Sequence, residues 1–336
     1  MNYDYRALLY SLDDDIKLSD LKSGEFNHDR DVSGVVDYLT KHDISTHIDG
    51  GQDYHYKTYQ IKSKPYIYYT IGDVELLSKP MVAIVWPRKP SEYAYRVLDQ
   101  LLDTLAHYDV VTISGMAEWV DEYVHMGSIA RGIPTIAVLW AWLATVLRSV
   151  RRHVVQQIVD AGWLVYSEFR LKQSSTHYTF PQRNRIVAGY ADCVVLPEAA
   201  VGSGSLITAE FALSMSKPLY AIPNSIFVPT SEGTNLLLSE HKAQALINIQ
   251  SWADQYFSRH NTSVHQWSDN DNYKLSVNLS EQEQQIYDCV VQAGQWVDLW
   301  YMMSQVQISL VELQTALSML EIYGVVRQSS PGVYNV

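Results

Sequence analysis

Two stretches of the chain carry residue types that suit a phosphate group. Residues 180–185 read Phe-Pro-Gln-Arg-Asn-Arg, and residues 202–205 read Gly-Ser-Gly-Ser. Small residues let backbone N–H groups approach an anion closely, and a helix N-terminus favours negative charge. Arg183 and Arg185 add guanidinium groups that donate two parallel hydrogen bonds to a phosphate. We therefore predict a phosphate site here, with Ser205 as the cap of the following helix.

The elements that must position these stretches follow a regular alternation. Short apolar runs of the kind buried on both faces of a parallel sheet alternate with amphipathic helical stretches from Met81 to Ile222. This alternation predicts an α/β fold, a Rossmann-like doubly wound mostly parallel sheet. Ser91 is expected to cap the first of these helices. We predict strands at 66–70, 82–85, 110–113, 135–139, 163–166, 193–196 and 219–222.

Ligands bind such sheets in a crevice outside the carboxyl ends of the strands. The loops at 86–91, 114–118, 140–144 and 197–205 should therefore face one crevice. The two phosphate-suited stretches lie on either side of the apolar run 191–196, so both should reach that crevice.

The composition changes along the chain and predicts four segments. Residues 1–65 read as a small, acidic, mostly helical segment, and residues 66–249 as the Rossmann-like core. Residues 250–278, rich in Asn, Asp, Ser and His, are typical of a polar linker. Residues 279–336 predict three helices and a β-hairpin, the pattern of a winged helix. Because this tail holds six acidic residues and only Arg327 as a base, we expect a protein-interaction module rather than a DNA reader.

The charge distribution limits the classes of partner. A net charge of −12 over 336 residues argues against a protein that coats nucleic acid with its whole surface. Residues 148–185 are an exception, with seven basic and two acidic residues. This basic segment, which ends at the arginine pair, is either a solvated helix face or part of an anion site.

Other features of the sequence carry no chemistry. Cys193 and Cys289 form neither a disulfide framework nor a metal signature, and buried thiols are expected. We expect no cofactor and no metal. Apolar runs stay short of a membrane span, and the first residues do not resemble a signal peptide, so we predict a cytoplasmic protein without a membrane partner.

Several short motifs follow one another in a fixed order along the core. Each is weakly specific by itself, whereas the ordered series is highly specific. The series contains Gly72-Asp73, Arg88 with Ser91, Ser114-Gly115-Met116-Ala117 with Asp121 and His125, Ser167-Glu168, residues 180–189, Ser203 to Ala209, and Gly233-Thr234-Asn235.

This series resembles the DNA-processing protein A family, also called DprA or Smf. The resemblance runs from about Tyr68 through Ala245 and resumes in the tail. It implies a cytoplasmic homodimer that binds single-stranded DNA, protects DNA entering during natural transformation and recombination, and loads the RecA recombinase, with no catalysis. Carried over by position, the DNA-binding residues are Arg88, Ser91, Ser114, Gly115, Arg183, Asn184, Arg185, Ser203, Gly204, Ser205 and Thr208.

The chain departs from the family pattern on one side of the crevice. Glu118-Trp119 stands where the family has arginine and glycine, so a DNA-binding cation becomes an anion. Trp86, Trp140 and Trp142 also replace family glycines. Two interpretations stay open: a UGA codon read as tryptophan where the host reads glycine, or true indoles that fill the crevice or stack on bases.

Two alternative functions use a related Rossmann-like pocket. The chain could be a sensor that binds a small nucleotide, or a nucleotide phosphoribohydrolase, in which an acidic residue follows the glycine-rich turn. Glu210 is the candidate for that acid, but its spacing from Ser205 places it on the wrong helix face. His125 is expected to be a structural hydrogen-bonding residue rather than a base.

Overall fold

The fold consists of two compact units, Met1–Asn261 and Thr262–Val336. No helix among the described residues is long and apolar enough to cross a bilayer. The computed structural model describes residues 3–12, 16–24, 26, 29–87, 90–116, 120–141, 143–147, 152–170, 179–257, 280–293, 297–306, 308–322, 326–330 and 333–335.

A nine-stranded sheet forms the centre of the first unit. Its spatial order is β1-β2-β6-β5-β4-β3-β7-β8-β9. The pairs β1–β2 and β2–β6 are antiparallel, and all the pairs from β6 to β9 in this order are parallel. The strands are β1 (Ser45–Ile48), β2 (Ile67–Ile71), β3 (Met81–Ile84), β4 (Val111–Ser114), β5 (Thr135–Val138), β6 (Leu164–Ser167), β7 (Cys193–Leu196), β8 (Leu219–Ala221) and β9 (Gln244–Ala245).

The strand order reverses between β3 and β7, which are neighbours in the sheet although far apart in sequence. Such a reversal opens a crevice at the carboxyl ends of the two strands. Every residue of β3 to β8 is buried, as expected for strands covered on both faces. The predicted doubly wound, mostly parallel α/β sheet is confirmed.

Helices cover both faces of this sheet. Alternate residues of β3 point to opposite sides: Met81 and Ala83 pack in the cluster that includes α8 and α9, whereas Val82 and Ile84 pack with α4 and α11. The helices of the first unit are α1 (Tyr5–Leu12), α2 (Leu18–Ser23), α3 (Ser33–Lys41), α4 (Glu92–Leu105), α5 (Val120–Ala130), α6 (Leu143–Leu147), α7 (Arg152–Asp160), α8 (Thr179–Tyr190), α9 (Gly204–Ser214), α10 (Glu232–Ser239) and α11 (Ile249–Tyr256).

The N-terminal segment is part of the sheet. The segment is mostly helical as predicted, with helices α1 to α3. However, β1 pairs antiparallel with β2, and residues of α1 and α3 share a core cluster with β2 and α7. Strand β1 was not predicted, because Ser-Thr-His-Ile is short and three of its four residues are polar. Its place in the sheet depends on its partner β2, which is buried throughout.

The core extends beyond its predicted end at residue 249. Helix α11 occupies the first part of the predicted linker, and Trp252, Ala253 and Phe257 are buried in the cluster that includes α4. The polar composition of residues 250–278 concealed this helix, because its buried positions are few. Residues 258–279 lie outside the described residues.

The second unit contains three helices and a small sheet. Helices α12 (Glu281–Ala293), α13 (Leu299–Gln305) and α14 (Leu310–Ile322) enclose a core that includes Ile286, Met302 and Leu317. Strands β10 (Val297–Asp298), β11 (Arg327–Ser330) and β12 (Val333–Asn335) form a sheet in the order β10-β12-β11. The elements agree with the predicted series, and the winged-helix assignment remains a prediction.

Candidate functional site

The crevice between β3 and β7 is bounded by the loops that follow these two strands. The loop after β3 leads to Ser91, whose side chain accepts a hydrogen bond from the N–H of Ala94 at 3.2 Å and caps α4 as predicted. The loop after β7 leads to the glycine-rich turn and α9. Arg88, the predicted cation of the first loop, lies outside the described residues.

The glycine-rich turn presents an open surface at the start of α9. Gly202 has φ +76°, which favours glycine, and Ser203 has extended backbone and caps the helix. The predicted cap was Ser205, but the Ser205 N–H lies 3.4 Å from Ser203 Oγ, so the cap lies two residues earlier. A Cβ atom added at Gly204 would meet nothing within 4 Å. Space above the turn is therefore free for a ligand.

Two further predicted residues lie in the first two turns of α9. Ser205 and Thr208 are buried, and the Ser205 hydroxyl hydrogen-bonds Ser203 Oγ at 2.7 Å. Thr208 Oγ1 has no hydrogen-bond partner among the described residues. Thr208 follows Gly204 by one helical turn, so both residues lie on one side of α9.

Arg183 is buried under the crevice rather than exposed in it. Its side chain is 4% exposed, and Nη1 donates to the carbonyl oxygen of Val138 at 2.8 Å. Asp121 lies 4.0 Å away. A Cβ atom at Gly115 would lie 1.6 Å from Nη1, so glycine at 115 makes room for the guanidinium. Nη1 of Arg183 is therefore bonded to protein, while Nε is buried with no hydrogen-bond partner among the described residues.

Arg185 is committed to an internal ion pair. Its two terminal nitrogens each donate to a Glu168 carboxylate oxygen at 2.6 Å, and Nε donates to the carbonyl oxygen of Ser63 at 2.9 Å. Both side chains are less than a tenth exposed. The expectation that Arg183 and Arg185 offer free guanidinium groups to phosphate is therefore not what the structure provides, because the buried helix face of α8 uses them internally.

Asn184 and Ser114 also make internal contacts. Asn184 Nδ2 lies 3.5 Å from the carbonyl oxygen of Gly204, which brings the start of α8 against the start of α9. The Ser114 hydroxyl donates to the carbonyl oxygen of Ile84 at 2.7 Å and lies 3.2 Å from Asp121. Of the predicted residues, the turn at 202–205 and Asn184 come together, whereas Ser114, Gly115 and Arg183 form the layer beneath.

Most of the described basic side chains in the segment 148–185 likewise make contacts inside the protein. The Arg170 guanidinium lies 3.9 Å from the Tyr10 ring centroid and donates to the carbonyl oxygen of Ile16. Among the described basic residues of this segment, only Arg152 is exposed. The segment is therefore not an open cationic surface over the residues that the structure describes.

Comparison with known protein families identifies this architecture. The family model for DNA recombination-mediator protein A matches residues 46–257, which include every strand of the large sheet except the first residue of β1. The chain belongs to this family.

Relatives in the family include two curated bacterial proteins. DNA processing protein DprA of Streptococcus pneumoniae is 32% identical over 181 residues, which cover 54% of this chain and 64% of the relative. Protein Smf of Escherichia coli is 33% identical over 169 residues, which cover 50% of this chain and 45% of the relative. The chain thus spans about half to two thirds of the length of these relatives.

Two solved structures share the fold. The X-ray structure of DprA from Streptococcus pneumoniae has a TM-score of 0.59 and 25% identity, covering 77% of this chain and 95% of that chain. DNA processing protein A from Helicobacter pylori, described for its single-stranded DNA binding mode, has a TM-score of 0.56 and 30% identity, covering 63% and 94%.

A buried carboxylate that was not among the predicted site residues lies beside the crevice. Glu198 is fully buried, accepts the Ser91 N–H at 2.8 Å, and accepts the hydroxyl groups of Thr230 and Ser231 at 2.5 and 3.3 Å. It therefore joins the start of α4, the loop after β7 and the segment before α10. An acidic residue just after a buried apolar strand was the available signal.

Two of the tryptophans that depart from the family pattern are buried. Trp86 is 5% exposed, and its ring packs edge-on against Tyr95 with a centroid distance of 5.3 Å. Trp86 Nε1 has no hydrogen-bond partner within the described part of the chain. Trp140 is 7% exposed. Neither indole presents a face for base stacking. Glu118, Trp119 and Trp142 lie outside the described residues.

His125 and Glu210 are the two residues that bear on the enzyme alternative. His125 is fully buried between Thr135 Oγ1 and the carbonyl oxygen of Gly115, at 2.8 and 2.7 Å. Because a carbonyl oxygen only accepts, Nε2 carries the proton, and burial lowers the pKa of His125. Glu210 is exposed on α9, away from Thr208. No group of three metal-ligating side chains occurs among the described residues.

Proposed function

We propose that this protein binds single-stranded DNA at the crevice between β3 and β7 and does so without catalysis. The observation that carries the proposal is the open turn at Gly202–Ser205, where a Cβ atom at Gly204 meets nothing within 4 Å. The N-terminus of α9 lies at this turn, where the N–H groups of Ser205 and Leu206 bond to the side chain and the carbonyl oxygen of Ser203, and where the helix dipole is positive. A phosphate of the DNA backbone supplies the negative charge that a helix N-terminus favours.

In this proposal, neither Arg183 nor Arg185 contacts the phosphate directly. Arg183 and Arg185 hold the start of α8 in place, so that Asn184 and the turn at Gly204 lie together. We propose Arg88, which follows β3, as the cation that reaches the phosphate directly. Ser91 and Glu198 fix the end of the loop that carries Arg88.

Gly204→Ala tests the proposal directly. An added methyl group has room in the free protein and blocks the approach of a phosphate to the turn. We expect oligonucleotide affinity to fall at least about tenfold, the equivalent of roughly one charge-assisted hydrogen bond. Fluorescence anisotropy with a labelled single strand at low salt measures the affinity, and thermal unfolding checks the fold.

The matched control is Gly34→Ala, because Gly34 is also an exposed helical glycine with nothing within 4 Å of an added Cβ atom. It should leave the affinity unchanged. Wild-type affinity in Gly204→Ala, or no binding by the wild type at low salt, would refute the crevice as the DNA site.

We also propose that the protein is a cytoplasmic homodimer, that it loads RecA onto the bound strand, and that it protects DNA entering during transformation. Support for a self-association surface comes from exposed apolar side chains after the last two strands: Ile226, Phe227 and Ile247 are 83%, 87% and 81% exposed. Strand β9, at that edge of the sheet, is exposed as well.

Phe227→Asp should convert the dimer to a monomer in sedimentation analysis, and wild-type sedimentation as a monomer would exclude the dimer.

A further inference from the structure

A cavity of about 470 Å³ lies beside the crevice, on the other side of α8. Its walls include four aromatic side chains, Tyr10, Tyr66, Phe169 and Phe211, which come from four different parts of the first unit. The volume falls in the range of small-ligand pockets, which are mostly apolar with a few placed polar groups. Among the described residues predicted for the crevice, only Arg185 lines this cavity, and the glycine-rich turn does not, so the cavity is a separate feature.

Helix α8 separates the cavity from the crevice. Asn184 faces the start of α9, and Arg183 faces Gly115, whereas Gln182 and Arg185 line the cavity. Gln182 and Arg185 are three residues apart and so lie on the same side of the helix. The two sites are thus about one helix diameter apart, roughly 10 Å.

The polar groups of the cavity offer both donors and acceptors. Arg185 and Glu168 form a pair that is less than a tenth exposed, and each carboxylate oxygen accepts one hydrogen bond from Arg185. A carboxylate oxygen has a second lone pair, so Glu168 can still accept from an amino group. This combination suits the hydrogen-bonding edge of a nucleobase that carries an exocyclic amino group.

Positive charge lies at the exposed side of the cavity. Lys22 is exposed, and its Nζ lies 5.1 Å from the ring centroid of Tyr66. Lys64 also lines the cavity but is paired with Asp49 at 2.5 Å, which compensates its charge. A phosphate next to Lys22 would therefore meet a net positive environment, while aromatic rings surround the adjoining space.

We propose that this cavity holds one nucleotide of the DNA strand, with its base among the aromatic side chains and its phosphate at Lys22. The inference rests on the proposed DNA binding, because the strand reaches the cavity from the crevice across α8. Single-stranded nucleic acids are commonly bound in this way, by aromatic stacking combined with backbone contacts.

Tyr66→Leu tests the stacking contact, since leucine keeps apolar volume but removes the flat ring. We expect about tenfold weaker binding of an ordinary oligonucleotide, and little change with an abasic oligonucleotide of the same length. Tyr56→Leu is the matched control, because Tyr56 is 58% exposed and does not line the cavity. It should bind both probes as the wild type does.

Lys22→Gln gives an independent test in which folding is not at risk, because the side chain is exposed. The slope of log affinity against log salt should decrease by roughly 0.7, the value for one phosphate contact on a single strand. Lys41→Gln, at an exposed lysine on α3, should leave the slope unchanged.

Three results would overturn the inference. Tyr66→Leu could bind like the wild type, it could lose equal affinity for the abasic probe, or deoxycytidine monophosphate alone could saturate the cavity at micromolar concentration. The last result would identify a free nucleotide as the ligand. If Gly204→Ala loses affinity while Tyr66→Leu does not, the proposed DNA binding stands and only the cavity site fails.

Discussion

At the scale of single residues, the structure gives Arg183 and Arg185 different contacts from those that the sequence predicts. Arginine next to a glycine-rich turn predicts phosphate contacts, but Arg183 and Arg185 are buried and bonded to protein oxygens. A buried guanidinium without a carboxylate or carbonyl partner is costly, so the fold provides Glu168, Val138 and Ser63 as acceptors. We therefore expect these arginines to hold α8 in place rather than to contact phosphate.

Arg185→Ala should therefore act on stability first. Removing one partner of a buried ion pair leaves the Glu168 carboxylate uncompensated, and we expect a loss of about 3–5 kcal/mol in the free energy of unfolding. Urea denaturation measures this. Arg6→Ala is the control, because the Arg6–Asp4 pair is about one third exposed and should cost about 0.2–1 kcal/mol.

The double variant Arg185→Ala with Glu168→Ala gives a second check. It removes both charges, so it should be less destabilised than the sum of the two single changes. Additive losses would mean that the two side chains act independently, contrary to their bidentate geometry.

The two interpretations of the tryptophans, recoded glycine or true indole, predict different results for a change at Trp86. Its indole is buried just after the end of β3, and its N–H group has no partner among the described residues. Burying an unpaired donor costs about 1–3 kcal/mol. We expect Trp86→Gly to strengthen oligonucleotide binding several-fold, because backbone N–H groups of the loop then become accessible. Anisotropy titration measures this.

Weaker binding in Trp86→Gly, together with a loss of about 3–5 kcal/mol in stability, would instead show that the indole belongs to the native core. The codons give an independent answer: UGG at positions 86, 119, 140 and 142 excludes a recoded glycine.

At the scale of elements, α11 defines where the core ends. The helix lies in a stretch whose composition predicts a linker, yet Trp252 is 5% exposed and packs edge-on against Tyr220 at a centroid distance of 5.7 Å. Ring contacts with Tyr256 and Phe257 extend this cluster. The helix is therefore held by burial rather than by its local sequence.

Trp252→Ala should lower the free energy of unfolding by about 3–5 kcal/mol, the usual cost of removing a buried aromatic side chain. Gln255→Ala is the control: Gln255 is exposed on the same helix, so its truncation should change stability by no more than about 0.5 kcal/mol. Equal effects of the two changes in thermal or urea unfolding would contradict the assignment of α11 to the core.

At the scale of the whole molecule, buried neutral histidines make stability depend on pH. Burial lowers the pKa of His125 and of His47, whose ring nitrogens contact Thr70 Oγ1 and the carbonyl oxygen of Asp53. In the unfolded chain these groups take up protons near pH 6.5. The unfolded state therefore binds more protons below that pH, and stability falls as the pH decreases.

We expect the unfolding free energy to decrease by about 1–3 kcal/mol between pH 7 and pH 5.5. A difference of one pKa unit between the folded and unfolded states is worth about 1.4 kcal/mol for each group. Denaturation curves at the two pH values measure the change. His125→Gln should reduce the pH dependence whatever its effect on stability at pH 7. An unaltered pH dependence in that variant would mean that His125 does not contribute.

The alternation of apolar runs and helical stretches was enough to predict the sheet. The strands at 193–196 and 135–138 agree closely with the prediction, because a short run of mostly apolar and β-branched residues is a local property of the sequence. Strand β1 and helix α11 were missed because their burial depends on partners distant in the chain, β2 and α4.

The sequence by itself determined the α/β class, the seven strands from β2 to β8 and the glycine-rich turn at the start of α9, since each follows from neighbouring residues. Only the tertiary structure decided that β3 and β7 are adjacent, that Glu198 connects the loops between them, and that the two arginines face inward. Burial and hydrogen-bond partners come from residues far apart in sequence, and whether a charged side chain meets solvent or protein depends on those partners.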